Sequence, residues 1–144
     1  MPVYECLTQV GTLDAAQRRR FAEEATRIHT EVTGSRAQFV HVIFPELSPG
    51  YMYTAREAGA PAIIRAQIRA GRPRDARESI LRQLEAVYLE LTGADPKEVM
   101  VIVLEVPPDC ALSGGMIMPE PNKADEAAFY DAVDNSPSSS PADR

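Results

Sequence analysis

Apolar residues recur at helical spacing in two stretches of the chain. They are Phe21, Ala25, Ile28 and Val32 in the first stretch and Ile80, Leu84, Val87 and Leu91 in the second. Both sets follow the i, i+4, i+7, i+11 pattern that marks one buried face of a helix. The pattern predicts a helix from about residue 13 to 33, with Thr12 as its N-cap, and another from about residue 74 to 92. Gly34 and Gly93 follow these helices as C-terminal stops.

Each predicted helix lies between two strand patterns. The first strand begins at Pro2, and residues 62–69 alternate between apolar and largely polar side chains, as expected for the third strand. Residues 39–44 and 98–104 are nearly continuous apolar runs of the kind that is buried on both sides of a sheet. Residues 48–60 contain a Pro-Gly turn signal and two tyrosines, which predict a short hairpin arm.

The chain contains an internal repeat. When the sequence is aligned with itself at one fixed offset, Pro2 matches Pro61 and the apolar residues of the first helix match those of the second. Repeat one covers residues 2–47 and repeat two covers residues 61–106, and each follows the order strand, helix, strand. Such a unit has parallel strands and a right-handed connection. We therefore predict an α/β fold in which two tandem β-α-β repeats form one four-stranded mixed sheet with two helices on one face.

The repeats form one predicted domain, residues 1–121, followed by a C-terminal extension, residues 122–144. The composition of the last ten residues, 135–144, predicts disorder in part of this extension. Phe129 and Tyr130 predict that another part docks on the domain. With both helices on one face, the opposite face of the sheet is left open, and we expect another subunit to pack against it.

Composition and charge narrow the classes of function. A chain of 144 residues that is 44% hydrophobic can bury one core. The net charge of -6, with arginines spread along the chain, argues against nucleic-acid binding. No membrane-spanning stretch or secretion signal is present, so we expect a cytoplasmic protein without a membrane partner. The cysteine and histidine spacing predicts no metal site, and no nucleotide-binding glycine motif occurs, so we expect no cofactor.

Pro2 is the first candidate for chemistry. If Met1 is removed, Pro2 carries a free secondary amine, whereas every other proline nitrogen is an amide. An α-amine has a pKa near ~8, and burial or a neighbouring cation lowers it toward the range of a general base. The structural alternative is that Pro2 only rigidifies the start of a strand.

Arg69 and Arg72 are the second candidate group. Two parallel units related by a pseudo-twofold axis place their first strands side by side and antiparallel, so the start of strand one lies near the end of strand three. Two guanidiniums there can bind a carboxylate and disfavour protonation of the nearby amine. The alternative is a solvated turn. For His29, at the edge of the first helix stripe, the residues alone favour a structural role.

Short motifs along the chain resemble the tautomerase superfamily, whose founding member is 4-oxalocrotonate tautomerase. They are the Met1-Pro2-Val3 opening, the turn Ile68-Arg69-Ala70-Gly71-Arg72, and Thr92-Gly93 before the last strand. The doubled length and the segment 28–34 are most similar to the fused subgroup typified by cis-3-chloroacrylic acid dehalogenase. The resemblance covers about residues 2–121.

The resemblance implies removal of Met1, a catalytic proline nitrogen at Pro2, a substrate-assisting histidine at His29 and assembly as a homotrimer. It also implies that Arg69 and Arg72 bind the carboxylate of a small substrate. The dehalogenase group further uses a tyrosine and a glutamate to activate water, and these positions fall on Ile102 and Ser113. Neither residue replaces that chemistry.

Three functions therefore stay open. The first is a cofactor-independent tautomerase that isomerises the keto and enol forms of a 2-oxo or 2-hydroxyalkenoate acid. The second is a dehalogenase-like hydrolase or hydratase, with Asp109 or Glu120 activating water. The third is a non-catalytic trimeric module that binds a small acid or a protein.

Overall fold

A computed structural model describes residues 1–137 of the chain. The strands are β1 (Val3–Gln9), β2 (His41–Ile43), β3 (Glu46–Leu47), β4 (Tyr53–Thr54), β5 (Glu57–Ala58), β6 (Ala62–Arg69), β7 (Val99–Val106), β8 (Leu112–Ser113) and β9 (Met116–Ile117). The α-helices are α1 (Ala15–Thr33), α2 (Arg74–Thr92) and α3 (Lys123–Asp134). Short 3-10 turns cover Ala37–Phe39, Pro96–Glu98 and Pro108–Cys110.

The main sheet is mixed and has the strand order β2-β1-β6-β7. β1 pairs parallel with β2, β6 pairs parallel with β7, and β1 meets β6 antiparallel in the centre. This is the arrangement of two β-α-β units side by side, and the predicted α/β fold is confirmed. The short strand β3 also pairs with β1, so the sheet has five strands and not four.

The extra strand arises because the edge strand is interrupted between β2 and β3. Pro45 lies in the gap and has no backbone N–H to donate to a ladder. Its carbonyl still accepts a hydrogen bond of 3.2 Å from the Thr8 N–H, so the chain stays beside β1. The predicted strand over residues 39–44 begins later, at His41, because residues 37–39 form a 3-10 turn, and the strand resumes after the proline.

The start of α1 differs from the prediction. Asp14, not Thr12, is the N-cap: its carboxylate accepts from the Gln17 N–H, and the Gln17 side chain accepts from the Asp14 N–H. This reciprocal capping box satisfies two free donors of the first turn. The Thr12 hydroxyl instead donates to the Gln9 carbonyl at 2.7 Å. The two predicted stops are confirmed, since Gly34 and Gly93 are both left-handed C-caps.

Both long helices pack on one face of the sheet. The fully buried side chains of this core include Tyr4, Cys6, Phe21, Ala25, Ile28, Ile64, Ala66, Ile68, Ile80 and Leu84. They come from β1, β6 and the predicted stripes of α1 and α2. The opposite face carries exposed apolar side chains, among them Ile43, Met100 and Leu104. The expectation that a further subunit covers this face stays a prediction.

A second, smaller cluster joins the C-terminal extension to the start of the chain. Its buried members are Ala111, Met118 and Phe129, and Met1 and Tyr130 pack around them. The docking of Phe129 predicted from the sequence is therefore observed, through α3. Residues 138–144, the greater part of the tail for which disorder was predicted, lie outside the described residues.

The loop before the second repeat forms the predicted hairpin, made of β4 and β5. None of the helices within residues 1–137 is long and apolar enough to span a membrane.

Gly71, in the turn that joins β6 to α2, has a φ of +102°, and an added Cβ would lie 2.8 Å from Cγ of Pro121. We expect Gly71→Ala to destabilise the chain by about 1–3 kcal/mol more than Gly50→Ala, because it adds overpacking to backbone strain. Gly50 is the matched control, with φ +85° and no atom within 4 Å of its Cβ position. Urea unfolding of the two variants checks this, and equal losses of stability would contradict it.

Candidate active site

The start of the chain lies against the end of the third long strand. β1 and β6 are paired with Val3 opposite Gln67, and the same register continued to the N-terminus sets Pro2 opposite Ile68 and Met1 opposite Arg69. Pro2 is buried, and its carbonyl accepts a hydrogen bond of 3.1 Å from the His41 N–H. The first residues are therefore held on both sides by neighbouring strands.

Two arginines lie beside this terminus. Arg69 is the last residue of β6, and Arg72 follows in the turn that leads to α2. Their side chains are only 6% and 11% exposed. Arg69 Nη1 donates to the Pro119 carbonyl at 2.6 Å, and Arg72 Nη1 donates to the Thr33 carbonyl at 3.2 Å. Both guanidiniums are thus almost removed from solvent and held by backbone acceptors, so the two arginines do not form a solvated turn.

A carboxylate that was not predicted from the sequence binds both arginines. Oε1 of Glu126, on α3, accepts from Arg69 Nη2 at 2.5 Å and from Arg72 Nη2 at 3.1 Å. The Glu126 side chain is 14% exposed. The sequence contains a signal from which this contact could have been predicted. Glu126 precedes Phe129 and Tyr130 by three and four residues, so one helix face carries all three side chains.

The buried charges act on the terminal amine. Burial, followed by Arg69 and Arg72, lowers the pKa of the Met1 α-amine from 8.0 to about 6. The causes are general, because a low-dielectric site and a nearby cation both disfavour an ammonium. An amine in this place is therefore largely unprotonated at neutral pH.

His29 reaches the same region from α1. The imidazole is 3% exposed, and its Nδ1 lies 2.7 Å from the Tyr4 hydroxyl. Burial, followed by the charges of Arg72, the N-terminus and Arg69, lowers the pKa of His29 to about 3. The ring is therefore neutral near pH 7.

The hydrogen bond sets which ring nitrogen carries the proton. Tyr4 is fully buried, and the hydroxyl has no second partner among the described residues, so we assign it as the donor to Nδ1. Nε2 of His29 then carries the N–H. Since no buried side-chain nitrogen or oxygen in the described part of the chain lacks a partner, this N–H borders accessible space.

A small cavity lies where these elements meet. Its lining residues are Met1, Ser35, Phe39, Arg69, Met118, Pro119, Phe129 and Tyr130. The volume is about 10 Å³, which holds roughly one water molecule. Ile102 and Ser113, the positions where the dehalogenase group has water-activating residues, do not line it. Over residues 1–137, no group of three or more His, Cys, Asp or Glu side chains is arranged to hold a metal ion.

The geometry thus brings His29, Arg69, Arg72 and the chain start into one site, as the family resemblance implies. A family model described as "Putative oxalocrotonate tautomerase enzyme" matches residues 1–133. The chain belongs to this family. Membership of the tautomerase superfamily, predicted from short motifs, is confirmed.

Several solved structures share the fold. Native Ps01740 is 50% identical, with a TM-score of 0.76 over 77% of this chain and 99% of its own. N1, a member of the cis-3-chloroacrylic acid dehalogenase family, is 24% identical, with a TM-score of 0.81 over 93% and 99%. An asymmetric trimer of wild-type fused 4-OT is 17% identical, with a TM-score of 0.74 over 80% and 94%. No curated protein matches the chain.

The low pKa of His29 predicts acid sensitivity of this tautomerase fold. Between pH 6.5 and about 3 the unfolded chain gains a proton on His29 that the folded chain does not bind, so stability falls as the pH falls. The loss approaches about 1.4 kcal/mol per pH unit. We expect His29→Gln to remove this part of the slope in urea unfolding between about pH 5 and 6.5.

The exposed His41 provides the matched control. The His41→Gln variant should keep the slope of the unmodified chain. If His29→Gln also kept it, the imidazole would not be held neutral by its surroundings.

Proposed function

We propose that this protein is a cofactor-independent tautomerase that interconverts the enol and keto forms of a 2-oxo or 2-hydroxyalkenoate acid, with Pro2 as general base and acid. The observation that supports it most is the burial of the chain start beside two guanidiniums, which lower the pKa of an amine there. An unprotonated amine can accept a proton near neutral pH, and the arginines attract an anionic substrate.

Removal of Met1 is part of the proposal. In the full chain the Pro2 nitrogen is an amide, whose lone pair is delocalised, and it cannot act as a base. Met1 also packs in the small cavity against Met118 and Phe129. Its removal would expose a secondary amine and vacate space beside that amine in the same step.

The proposed reaction moves one proton at a time and needs no co-reactant. The Pro2 nitrogen accepts the proton of the 2-hydroxyl group of an arylenolpyruvate, which leaves an enolate oxygen on C2. The C2–O bond then becomes a carbonyl while the electrons of the C2=C3 double bond take the proton back from the Pro2 ammonium, which forms a C3–H bond. Arg69 and Arg72 stabilise the negative charge that develops on the enolate oxygen, because they are pre-oriented in a dry site.

His29 positions the substrate in this proposal. Its Nδ1 is occupied by Tyr4, so the Nε2–H is available as a donor toward a substrate oxygen. A neutral imidazole at pH 7 cannot compete with Pro2 as a cationic acid. We therefore assign orientation, and not proton transfer, to His29.

Hydration or hydrolytic dehalogenation is the second candidate, because the fold is shared with a member of the cis-3-chloroacrylic acid dehalogenase family. This chemistry needs a group that activates water. Ile102 has no acidic or basic atom, and Asp109, an alternative base, is on the exposed 3-10 turn after β7 and does not line the cavity. Proton transfer between oxygen and carbon needs no activated water, so tautomerisation is favoured.

A homotrimeric, cytoplasmic assembly completes the proposal. Several structural relatives named fused 4-OT are trimers. The exposed Ile43, Met100 and Leu104 give this chain an apolar sheet face that subunits can cover.

Substitution of the proposed base tests the function. Purified protein whose mass shows loss of Met1 should ketonise phenylenolpyruvate, and Pro2→Ala should lower kcat by about 10²- to 10⁴-fold, the usual contribution of a general base. The measurement is the change in enol absorbance. A Pro2→Ala variant with full activity would contradict the mechanism.

Incubation with cis-3-chloroacrylate separates the alternatives. Halide release without ketonisation would replace the tautomerase proposal by the dehalogenase one. Failure of both reactions in a folded protein that lacks Met1 would support a binding module.

The pH profile tests the role of the arginine charge. Only the unprotonated Pro2 amine is a base, so kcat/KM should rise with pH through an ionisation below the ordinary ~8 of an α-amine, and then level off. Arg72→Gln removes one neighbouring cation, and we expect it to move this ionisation to higher pH. Arg74→Gln, which alters an exposed guanidinium paired with Glu78, is the control and should leave the ionisation in place. An ionisation that does not move in Arg72→Gln would mean that the charge does not tune the base.

A further inference from the structure

The arginine pair that the proposed function assigns to the substrate is occupied by the chain itself. One oxygen of Glu126 accepts from both guanidiniums, at 2.5 Å from Arg69 and 3.1 Å from Arg72. All three side chains are almost removed from solvent, with exposed fractions between 6% and 14%. A carboxylate between two guanidiniums is also the arrangement that a substrate carboxylate would require.

Glu126 is delivered by a docked helix and not by a free surface segment. The Asn122 side chain caps α3 by accepting from the Asp125 N–H. Tyr130 stacks on Phe39 with ring centroids 5.6 Å apart, and the Arg36 guanidinium lies 4.3 Å from the Tyr130 ring. These contacts hold Glu126 on the arginines by a specific interface between the extension and the domain.

This interface is small compared with the main core. Its buried hydrophobic cluster has three members, Ala111, Met118 and Phe129, and α3 contributes only the last of them. The faces of α1 and α2, by contrast, pack against the central strands in the main core cluster. Elements with few buried apolar contacts open at lower free energy than the core that supports them.

The closed site has no room for a substrate. The cavity of about 10 Å³ is far below the roughly 300 Å³ of ordinary small-ligand sites. Loss of Met1 would enlarge it, but would leave Glu126 on the arginines. A substrate carboxylate must therefore either displace Glu126 or bind without both guanidiniums.

We propose that Glu126 is an internal competitor for the substrate carboxylate, and that α3 is a displaceable cap whose release opens the arginine pair. This inference rests on the proposed function for the identity of the ligand class. In the closed state the chain is autoinhibited. The apparent association constant for a carboxylate then equals the intrinsic constant multiplied by the fraction of molecules in which α3 is released.

The first test measures binding separately from catalysis. In full-length protein that carries Pro2→Ala, so that any reaction is slow, phenylpyruvate is titrated by calorimetry. Adding Glu126→Gln keeps the shape of the side chain and removes its charge. We expect the dissociation constant to fall about tenfold or more, as expected if only ~10% of molecules are open before the substitution.

Asp131→Asn is the matched control. It removes the same charge from the same helix at an exposed position that has no contact with either arginine. We expect it to leave the dissociation constant within about twofold, because exposed charges contribute little. Tighter binding in both variants would reflect overall charge and would overturn the specific role of Glu126.

A second measurement uses the unsubstituted side chain, in case Glu126→Gln affects folding. Saturating phenylpyruvate should increase amide hydrogen exchange in residues 123–134 of the Pro2→Ala protein, because ligand and α3 exclude each other. Unchanged or slower exchange with bound ligand, or weaker binding in Glu126→Gln, would show that Glu126 instead orients the arginines permanently. Either result would overturn the proposal.

The two hypotheses fail separately. If Glu126→Gln tightens binding but no variant with an intact Pro2 ketonises phenylenolpyruvate, the result supports the role of Glu126 as a competitor and contradicts the tautomerase proposal. If the protein is active through Pro2 but the Glu126→Gln variant neither binds more tightly nor shows a lower KM, the result contradicts the role of Glu126 as a competitor and supports the proposed function.

Discussion

The buried guanidiniums of Arg69 and Arg72, which lie beside the N-terminus, are the constraint on which the rest of this structure depends. Burying guanidiniums is costly unless each is hydrogen-bonded and balanced by an anion. Backbone carbonyls of Thr33 and Pro119 supply part of this compensation, and the carboxylate of Glu126 supplies the charge. Burial, followed by these charges, lowers the pKa of the terminal amine and of His29. The buried cations and the two weakly basic groups beside them thus belong to one desolvated site.

The duplicated architecture makes this site possible but does not make it symmetric. In the first repeat the positions that correspond to Arg69 and Arg72 hold Val10 and Leu13, and Leu13 is part of the core. The position that corresponds to Pro2 is Pro61, whose nitrogen is always an amide because the chain continues before it. The two repeats therefore share one fold, while the buried chain start belongs to one copy and the cations to the other. Their antiparallel contact in the centre of the sheet brings the two contributions together.

Much of the fold was predictable because local patterns and backbone geometry agreed with it. The helix stripes, the left-handed glycine caps and the alternation in β6 each involve residues within a few positions of one another, and a β-α-β unit has one preferred hand. The predictions that were wrong concern the ends of elements, where neighbouring residues determine the local backbone. Asp14 displaced Thr12 as the N-cap because it forms a reciprocal pair with Gln17, and Pro45 divided the edge strand because it lacks a donor.

For the candidate site, the sequence by itself determined that Pro2 and the two arginines lie close together, since repeat symmetry requires the start of β1 to meet the end of β6. It did not determine the charge balance. Glu126 is 57 positions from Arg69 and 54 from Arg72, and the hydroxyl that orients His29 is 25 positions away in β1. Only the tertiary structure decided these contacts. The docking of α3 depends on shape and desolvation at a surface formed by several distant segments, and no periodic pattern in the chain predicts such a surface.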